Sequence, residues 1–530
     1  METNFAKLSR YFLFLCRRER IASPVWIIAL TAATVIFGSV YPGMLPDEAA
    51  MQQMAATMNN PAMIAMMGPV YGMEDLSPSS LMSQQCLVWV LVAAAIMNVF
   101  LVNRHSRVDE ELGRLEMFRA MPVGRMTGAV ATALFAFCVN LLISVLTAVS
   151  LLIMNMDGTT AAGAFAYGLA IGAVGMVFAA LTLLAAQLFS TARGVTGFGM
   201  VALGILYVLR AMGDVRENAL SIVSPLGLAL RPEAFYENNY WPLFLLALEF
   251  ANIILLALGI CAYRDHGMGL LPAGKGRAYA SQALRSPMGL AWRLSIKSTL
   301  AWGAGMLLLG IAYGSVCTQI ESFLENNPTM KEMVFQNDQS SILDNYVAVI
   351  YSLMAMLASV PVMLSAMRIH GEEKHGRLEQ IFAKRVWRID FFIAFLFIGL
   401  MESFLMLLLL STGLEVSSGG ALDSATQLAA GLVYLPAVWC MTGIAVFFVG
   451  VLPKLTPAVW AIFAYSFFMS YFGRMLDFPE WVIKATPFGS TPRLPIEDFA
   501  AQPLAVYITL TVVLLTCGIA RFRVRDIGRV

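Results

Sequence analysis

Twelve stretches, each about twenty residues long and nearly free of charge, recur along this chain, and a helix of about that length crosses the roughly 30 Å of a bilayer's hydrocarbon. They lie near residues 24–42, 84–103, 128–154, 163–190, 194–213 and 241–262, then 299–317, 345–367, 389–412, 425–452, 456–473 and 502–520. Lipid offers the backbone no hydrogen-bond partner, and the runs are too long for barrel strands, so the expected form is helical. A soluble reading of 530 residues as several domains fails on composition. Apolar residues make up 59% of the chain and charged residues only 13%, against about 25% charged in soluble domains. The fold class expected is therefore an all-α polytopic transmembrane protein of about twelve helices.

The basic residues set a direction. With the N-terminus inside, the outer segments keep only Arg210, Arg216, Arg231, Lys331, Arg474, Lys484 and Arg493 of the 35 Lys and Arg residues. The first outer loop, 43–83, has none, whereas 104–127 carries Arg104, Arg107, Arg114, Arg119 and Arg125. Positive loops stay cytoplasmic, so both termini are expected inside, in a multi-pass protein of the cytoplasmic membrane. The first twenty residues are basic and amphipathic and do not read as a signal peptide. A net charge of +1 gives no reason to expect nucleic acid as a partner.

The chain is a tandem repeat. Asp109-Glu110-Glu111-Leu112-Gly113-Arg114-Leu115-Glu116 follows the second span, and Glu372-Glu373-Lys374-His375-Gly376-Arg377-Leu378-Glu379 follows the eighth, 263 residues later. Asn59-Asn60-Pro61 recurs as Asn326-Asn327-Pro328, and Ser224-Pro225-Leu226-Gly227 as Thr486-Pro487-Phe488-Gly489. Three matches in the same order, in equivalent loops, mean two six-span halves in the same orientation. The expected division is 1–262, a linker 263–286, and 287–530. Each half is expected to open on an amphipathic elbow helix. In the first, Phe5, Leu8, Phe12 and Leu15 share a face; in the second, the segment is Pro287–Lys297. Outer segments 214–240 and 474–501 are expected to dip back toward the membrane.

The repeated Glu-rich loop is the most informative motif. An isolated loop of this kind would be a solvated topology marker. Its duplication instead suggests a docking helix whose carboxylates and Arg residues seat in a partner's groove. The candidates for coupling to a partner are Asp109, Glu110, Glu111, Gly113, Arg114, Glu116, Glu372, Glu373, Gly376, Arg377 and Glu379. Gly269-Leu270-Leu271-Pro272-Ala273-Gly274-Lys275-Gly276 lacks the Ser or Thr that a P-loop needs after its Lys, and a span rather than a strand precedes it. Glu249, Glu402 and Asn140 are polar residues inside spans. They are candidates for a substrate site, weighed against interhelical hydrogen bonds that merely fix packing. The seven Cys and four His residues show no metal-ligand spacing. No catalytic constellation is present, so the chain is not read as an enzyme.

The two Gly-Arg-Leu-Glu loops, the linker Arg264-Asp265-His266-Gly267-Met268-Gly269-Leu270-Leu271-Pro272, and Ser286-Pro287-Met288-Gly289-Leu290-Ala291-Trp292-Arg293 resemble the permease subunits of bacterial ABC exporters of the polyketide-antibiotic, tetronasin-type group. The resemblance spans the whole chain. One departure lies in the linker, where that group has an Arg-Pro-Gly-Pro run and this chain has Ala273-Gly274-Lys275-Gly276. The resemblance implies elbow helices, cytoplasmic coupling helices, re-entrant outer segments and export of a hydrophobic or amphipathic drug-like compound. It also implies a soluble ABC ATPase dimer on a separate chain, holding the ATP and Mg²⁺, with no cofactor here. The alternatives are export of lipid or peptide, or a proton-coupled secondary transporter. Major facilitator transporters also have two parallel six-span halves, but they carry a Gly-x-x-x-Asp-Arg loop that Asp109–Glu116 does not match.

Overall fold

The computed structural model describes residues 2–45, 47–59, 61–119, 122–265, 267–271, 278–315, 317, 342–420, 423–472 and 479–526. Among them every regular element is helical. The chain divides into two compact units, Met1–Gly276 and Arg277–Val530. Asn326-Asn327-Pro328, His266 and residues 272–276 of the P-loop-like run lie outside the described residues.

Unit 1 opens on α1 (Leu8–Arg18), followed by α2 (Ala22–Met44). Two short helices, α3 (Glu48–Met58) and α4 (Pro61–Met67), follow α2 in the loop expected outside. Next come α5 (Pro78–Arg104), the short α6 (Arg107–Glu111) and α7 (Arg114–Arg119), then α8 (Thr127–Met154), α9 (Ala161–Leu188) and α10 (Ala192–Val215). The unit closes with α11 (Leu220–Val223), α12 (Pro225–Leu230) and α13 (Trp241–Tyr263). The sequence punctuates these helices locally. Ser77 caps α5 through a capping box with Ser80, and Pro78 takes a first-turn position whose missing N–H costs nothing. Thr160 and Thr191 cap α9 and α10. The centre of the unit is α9, buried along most of its length by α5, α8 and α13.

Unit 2 comprises α14 (Pro287–Gly314), α15 (Ile342–Lys374), α16 (Arg377–Phe382), α17 (Arg388–Ser417), α18 (Ser424–Leu432), α19 (Leu435–Val451), α20 (Ala458–Phe472), α21 (Glu480–Lys484) and α22 (Ala501–Val524). Among the described residues, 11 stretches are long and apolar enough to cross a membrane, one of them α18 and α19 taken together. The expected span at 456–473 appears as α20, whose 15 described residues rise roughly 22 Å, short of the hydrocarbon thickness.

Three expectations change. First, the second elbow is not a separate helix. Pro287–Lys297 forms the opening turns of the continuous 28-residue α14, because no Pro or Gly interrupts the run from Leu290 to Trp302. Second, Phe5 lies outside α1 and is exposed, whereas Tyr11 and Leu15 are buried, with Leu8 and Phe12 packed beside them. The buried face is thus 8, 11, 12 and 15, the i, i+3, i+4, i+7 stripe of one helix side. Third, the span near 425–452 is broken at Val433–Tyr434. Pro436 in the first turn of α19 has no N–H to continue a hydrogen bond from α18; the equivalent residue in α9 is Ala173, and α9 is unbroken.

The segment before α13 is buried in unit 1: every residue of α12 is buried. The Ser/Thr-Pro-x-Gly motif explains its shape in both units. A Cβ on Gly227 would lie 2.1 Å from the carbonyl oxygen of Ser221, and one on Gly489 would lie 2.1 Å from that of Ile483. In each case the chain folds back on the carbonyl six residues earlier, an approach only glycine permits.

Candidate functional site: a repeated latch at the charged helix ends

The Glu-rich loops share a backbone. Gly113 has φ +67° and Gly376 φ +68°. Neither glycine's absent Cβ would meet anything within 4 Å, so the left-handed conformation, not space, requires glycine there. Each glycine reverses the chain into a short helix, α7 or α16, which sets the following Arg against the first carboxylate of the motif. Arg114 lies 3.2 Å from Asp109, and Arg377 lies 2.5 Å from Glu372.

The second carboxylate reaches much further along the chain. Glu110 is gripped by both terminal nitrogens of Arg264, at 2.5 and 3.2 Å. Glu373 is gripped in the same way by Arg525, at 2.6 and 2.5 Å. Arg264 and Arg525 immediately follow α13 and α22, the last helices of their units. A third contact repeats as well. Arg125, just before α8, donates to the Arg264 carbonyl at 2.7 Å, and Arg388, at the start of α17, donates to the Arg525 carbonyl at 2.9 Å. The C-terminal end of the fourth span is also held: Ala186 accepts from Arg107 at 2.5 Å and Val449 from Arg525 at 3.3 Å. In each unit, then, one arginine joins the Glu-rich loop to the closing helix, and a second ties that helix to the far side of the loop. The pairs are well sheltered, since the Glu373 side chain is fully buried and that of Arg264 is 4% exposed. Charged, bidentate and largely dry, they are the strong class of hydrogen bond.

Five of the seven carboxylates expected to face a partner, Asp109, Glu110, Glu111, Glu372 and Glu373, therefore have partners inside their own unit. Asp109 also binds Arg18 of α1, at 2.5 Å, and Glu110 also binds Arg107. Glu111 accepts from the backbone N–H of Ala192 at 2.7 Å, at the N-terminus of α10. Among the described residues, the loops leave exposed Glu111, Leu112, Arg114, Glu116 and Met117 in unit 1, and Lys374, His375, Gly376, Arg377, Glu379 and Gln380 in unit 2. The elbow has its own anchor: buried Glu19 lies 2.9 Å from His105 Nε2 and 3.1 Å from Arg104. Burial opposes its charge, but these two partners outweigh burial and hold the Glu19 carboxyl below its ordinary value.

Three candidates lie within the apolar helices. Asn140 exchanges hydrogen bonds with Asn98 of α5, at 2.8 and 2.9 Å. Glu402 accepts from Thr299 of α14 and, at 2.5 Å, from Ser365 of α15. Both are buried helix-to-helix junctions within their own unit. Glu249 is half-buried on α13. Among the described residues no cluster could hold a metal ion.

Arg264 and Arg525 escaped the motif reading, although a signal existed. Each opens an Arg-Asp-x-Gly sequence, Arg264-Asp265-His266-Gly267 and Arg525-Asp526-Ile527-Gly528, at the end of its repeat.

The chain is 32% identical to the "Multidrug efflux system permease protein Rv1217c" of Mycobacterium tuberculosis (strain ATCC 25618 / H37Rv), over 522 residues that cover 96% of this chain and 93% of the relative. The family described as "Multidrug efflux system permease Rv1217c, C-terminal domain" matches residues 284–523. The chain belongs to the multidrug efflux permease family. As an efflux permease it is a multi-pass membrane protein, and each latch sits at charged helix ends of its own unit. The family match to the second repeat runs from just before α14 through nearly all of α22, taking in Glu373 and stopping just short of Arg525.

Proposed function

We propose that this efflux permease is the transmembrane part of an ATP-driven exporter of hydrophobic or amphipathic, drug-like compounds, with both termini in the cytoplasm. ATP and Mg²⁺ would be held by a soluble ATPase dimer on separate chains, one ATPase meeting each Glu-rich loop. Antibiotics of the polyketide, tetronasin type are the substrate class to try first, on the motif resemblance in the linker and loops. The observation that carries the reading is the pairing of the loops: two copies of one rigid, charged, partly exposed element, each latched to the last span of its repeat. Force arriving at α7 or α16 would pass through Glu110–Arg264 or Glu373–Arg525 into α13 or α22. The exposed loop residues would form the contact, and the buried carboxylates would transmit it. Asp109–Glu116 and Glu372–Glu379 thus remain the coupling elements, with the work divided between outer and inner side chains.

The test is to express the permease with its genomic neighbour ATPase and measure co-purification and drug-stimulated ATP hydrolysis. Leu112→Asp with Arg377→Glu should detach the ATPase while leaving the permease monodisperse. ATP-dependent transport by the permease alone would overturn the proposal.

A further inference from the structure

Unit 1 holds a cavity of about 400 Å³ at its charged end. Unit 2 fills the equivalent place. Gly128 and Ala129 line the cavity, and 263 residues later stand Phe391 and Phe392, both fully buried. Cys261 lines it too; its counterpart, by the offset relating Arg264 to Arg525, is Phe522, 1% exposed, its ring tilted against that of Phe392 with centroids 5.0 Å apart. Ser106 on the wall corresponds to buried Ile369. Three small residues in one repeat and three aromatic rings in the other make the void a property of the sequence.

The walls favour a particular occupant. Arg125 and Arg264 line the cavity against one carboxylate, Glu110, which Arg107 and Arg264 already neutralise. The first turn of the 28-residue α8 contributes Gly128 and Ala129, at the helix end where N–H groups point outward and the dipole is positive. Arg264, 6% exposed, keeps its Nε without a partner, and Gln187, 3% exposed, keeps its Oε1 without one. The site offers donors to an anion and one acceptor to a hydroxyl. It lies where α5, α8, α9 and α13 end on the charged side, beside α1, which exposes Leu13 and Phe14. Charged ends of spans belong at the depth of lipid headgroups, where basic pockets between spans select anionic lipids.

We propose that this cavity binds the phosphate group of an anionic, hydroxyl-bearing lipid headgroup from the cytoplasmic leaflet, and that only the first repeat carries such a site. The inference needs the proposed orientation but neither the ATPase nor transport.

The experiment uses the full chain in nanodiscs of mixed phosphatidylglycerol and phosphatidylcholine, with retained lipid counted by native mass spectrometry. The wild type should retain one phosphatidylglycerol with a preference of roughly tenfold, on the scale of one or two basic side chains at a membrane surface. Ala129→Phe with Cys261→Phe copies the second repeat's filling and should abolish the preference. Gln187→Glu adds a charge without changing shape and should do the same, which guards against a misfolded double variant. In a second arm, inorganic phosphate is titrated into phosphatidylcholine nanodiscs. Thermal stabilisation there that both variants abolish would keep the phosphate site but assign it to a free anion. Equal phosphatidylglycerol retention in the wild type and both variants, with no effect of inorganic phosphate, would overturn the proposal.

Discussion

Glu373 shows how much can rest on one side chain. Its carboxylate has no exposed surface and one bidentate partner, Arg525. Removing one member of such a pair leaves an unmatched buried charge, a loss of about 3–5 kcal/mol in comparable cases. We expect Glu373→Gln to cut drug-stimulated ATP hydrolysis severalfold while the ATPase still co-purifies. The exchange Glu373→Arg with Arg525→Glu should recover part of the activity, because it restores the pair in reverse. A direct docking role for Glu373 predicts no rescue, so the two roles separate in one assay. Glu19 gives a pH test. Its carboxyl lies below the usual range when folded, so its contribution is complete above the ordinary Glu value and fades as acid protonates the folded group. Melting curves should show α1 loosening in acid for the wild type, and Glu19→Gln should lack that pH dependence. The carboxylates of this site were legible in the sequence as a repeated motif. Their guanidinium partners were not, since Arg264 and Arg525 lie 154 and 152 residues away and no local pattern announces a contact at that distance.

At the level of elements, the long apolar helices and the short helix that begins at the Arg of each Gly-Arg-Leu-Glu were legible, because periodicity, capping residues and glycine act over a few residues. Two failures had local causes outweighed by context. The amphipathic pattern of Pro287–Lys297 read as an elbow, yet nothing in the chain breaks it from the span that follows. The apolar run at 425–452 read as one helix, yet Pro436 divides it. Two classes of glycine make a comparative test. Gly113→Ala meets empty space and should cost only the conformational penalty of a positive φ, about 1–2 kcal/mol. Gly227→Ala drives a methyl into the Ser221 carbonyl and should cost more, lowering the melting temperature further and reducing yield. Equal losses for both would mean that the fold-back around Ser221 relaxes freely.

At the scale of the whole molecule, each latch is complete within its own unit. A chain divided between residues 271 and 278 and co-expressed as two pieces should therefore still bind the ATPase, with pull-down of either piece as the measurement. Loss of binding by both would show that the covalent join is needed for assembly. The two latches also carry a historical consequence. A gene that doubled in length copied both ends of each ion pair at once, and from then on each copy drifted under its own constraint. Selection on a buried pair falls on the sum of two sites, so one member can change only when the other answers. Across the genomes that encode this family, positions 110 and 264 should therefore vary together, as should 373 and 525, while 110 varies independently of 525. An alignment of sufficient depth would read that pattern directly, two parallel records of one ancestral bond kept within a single gene.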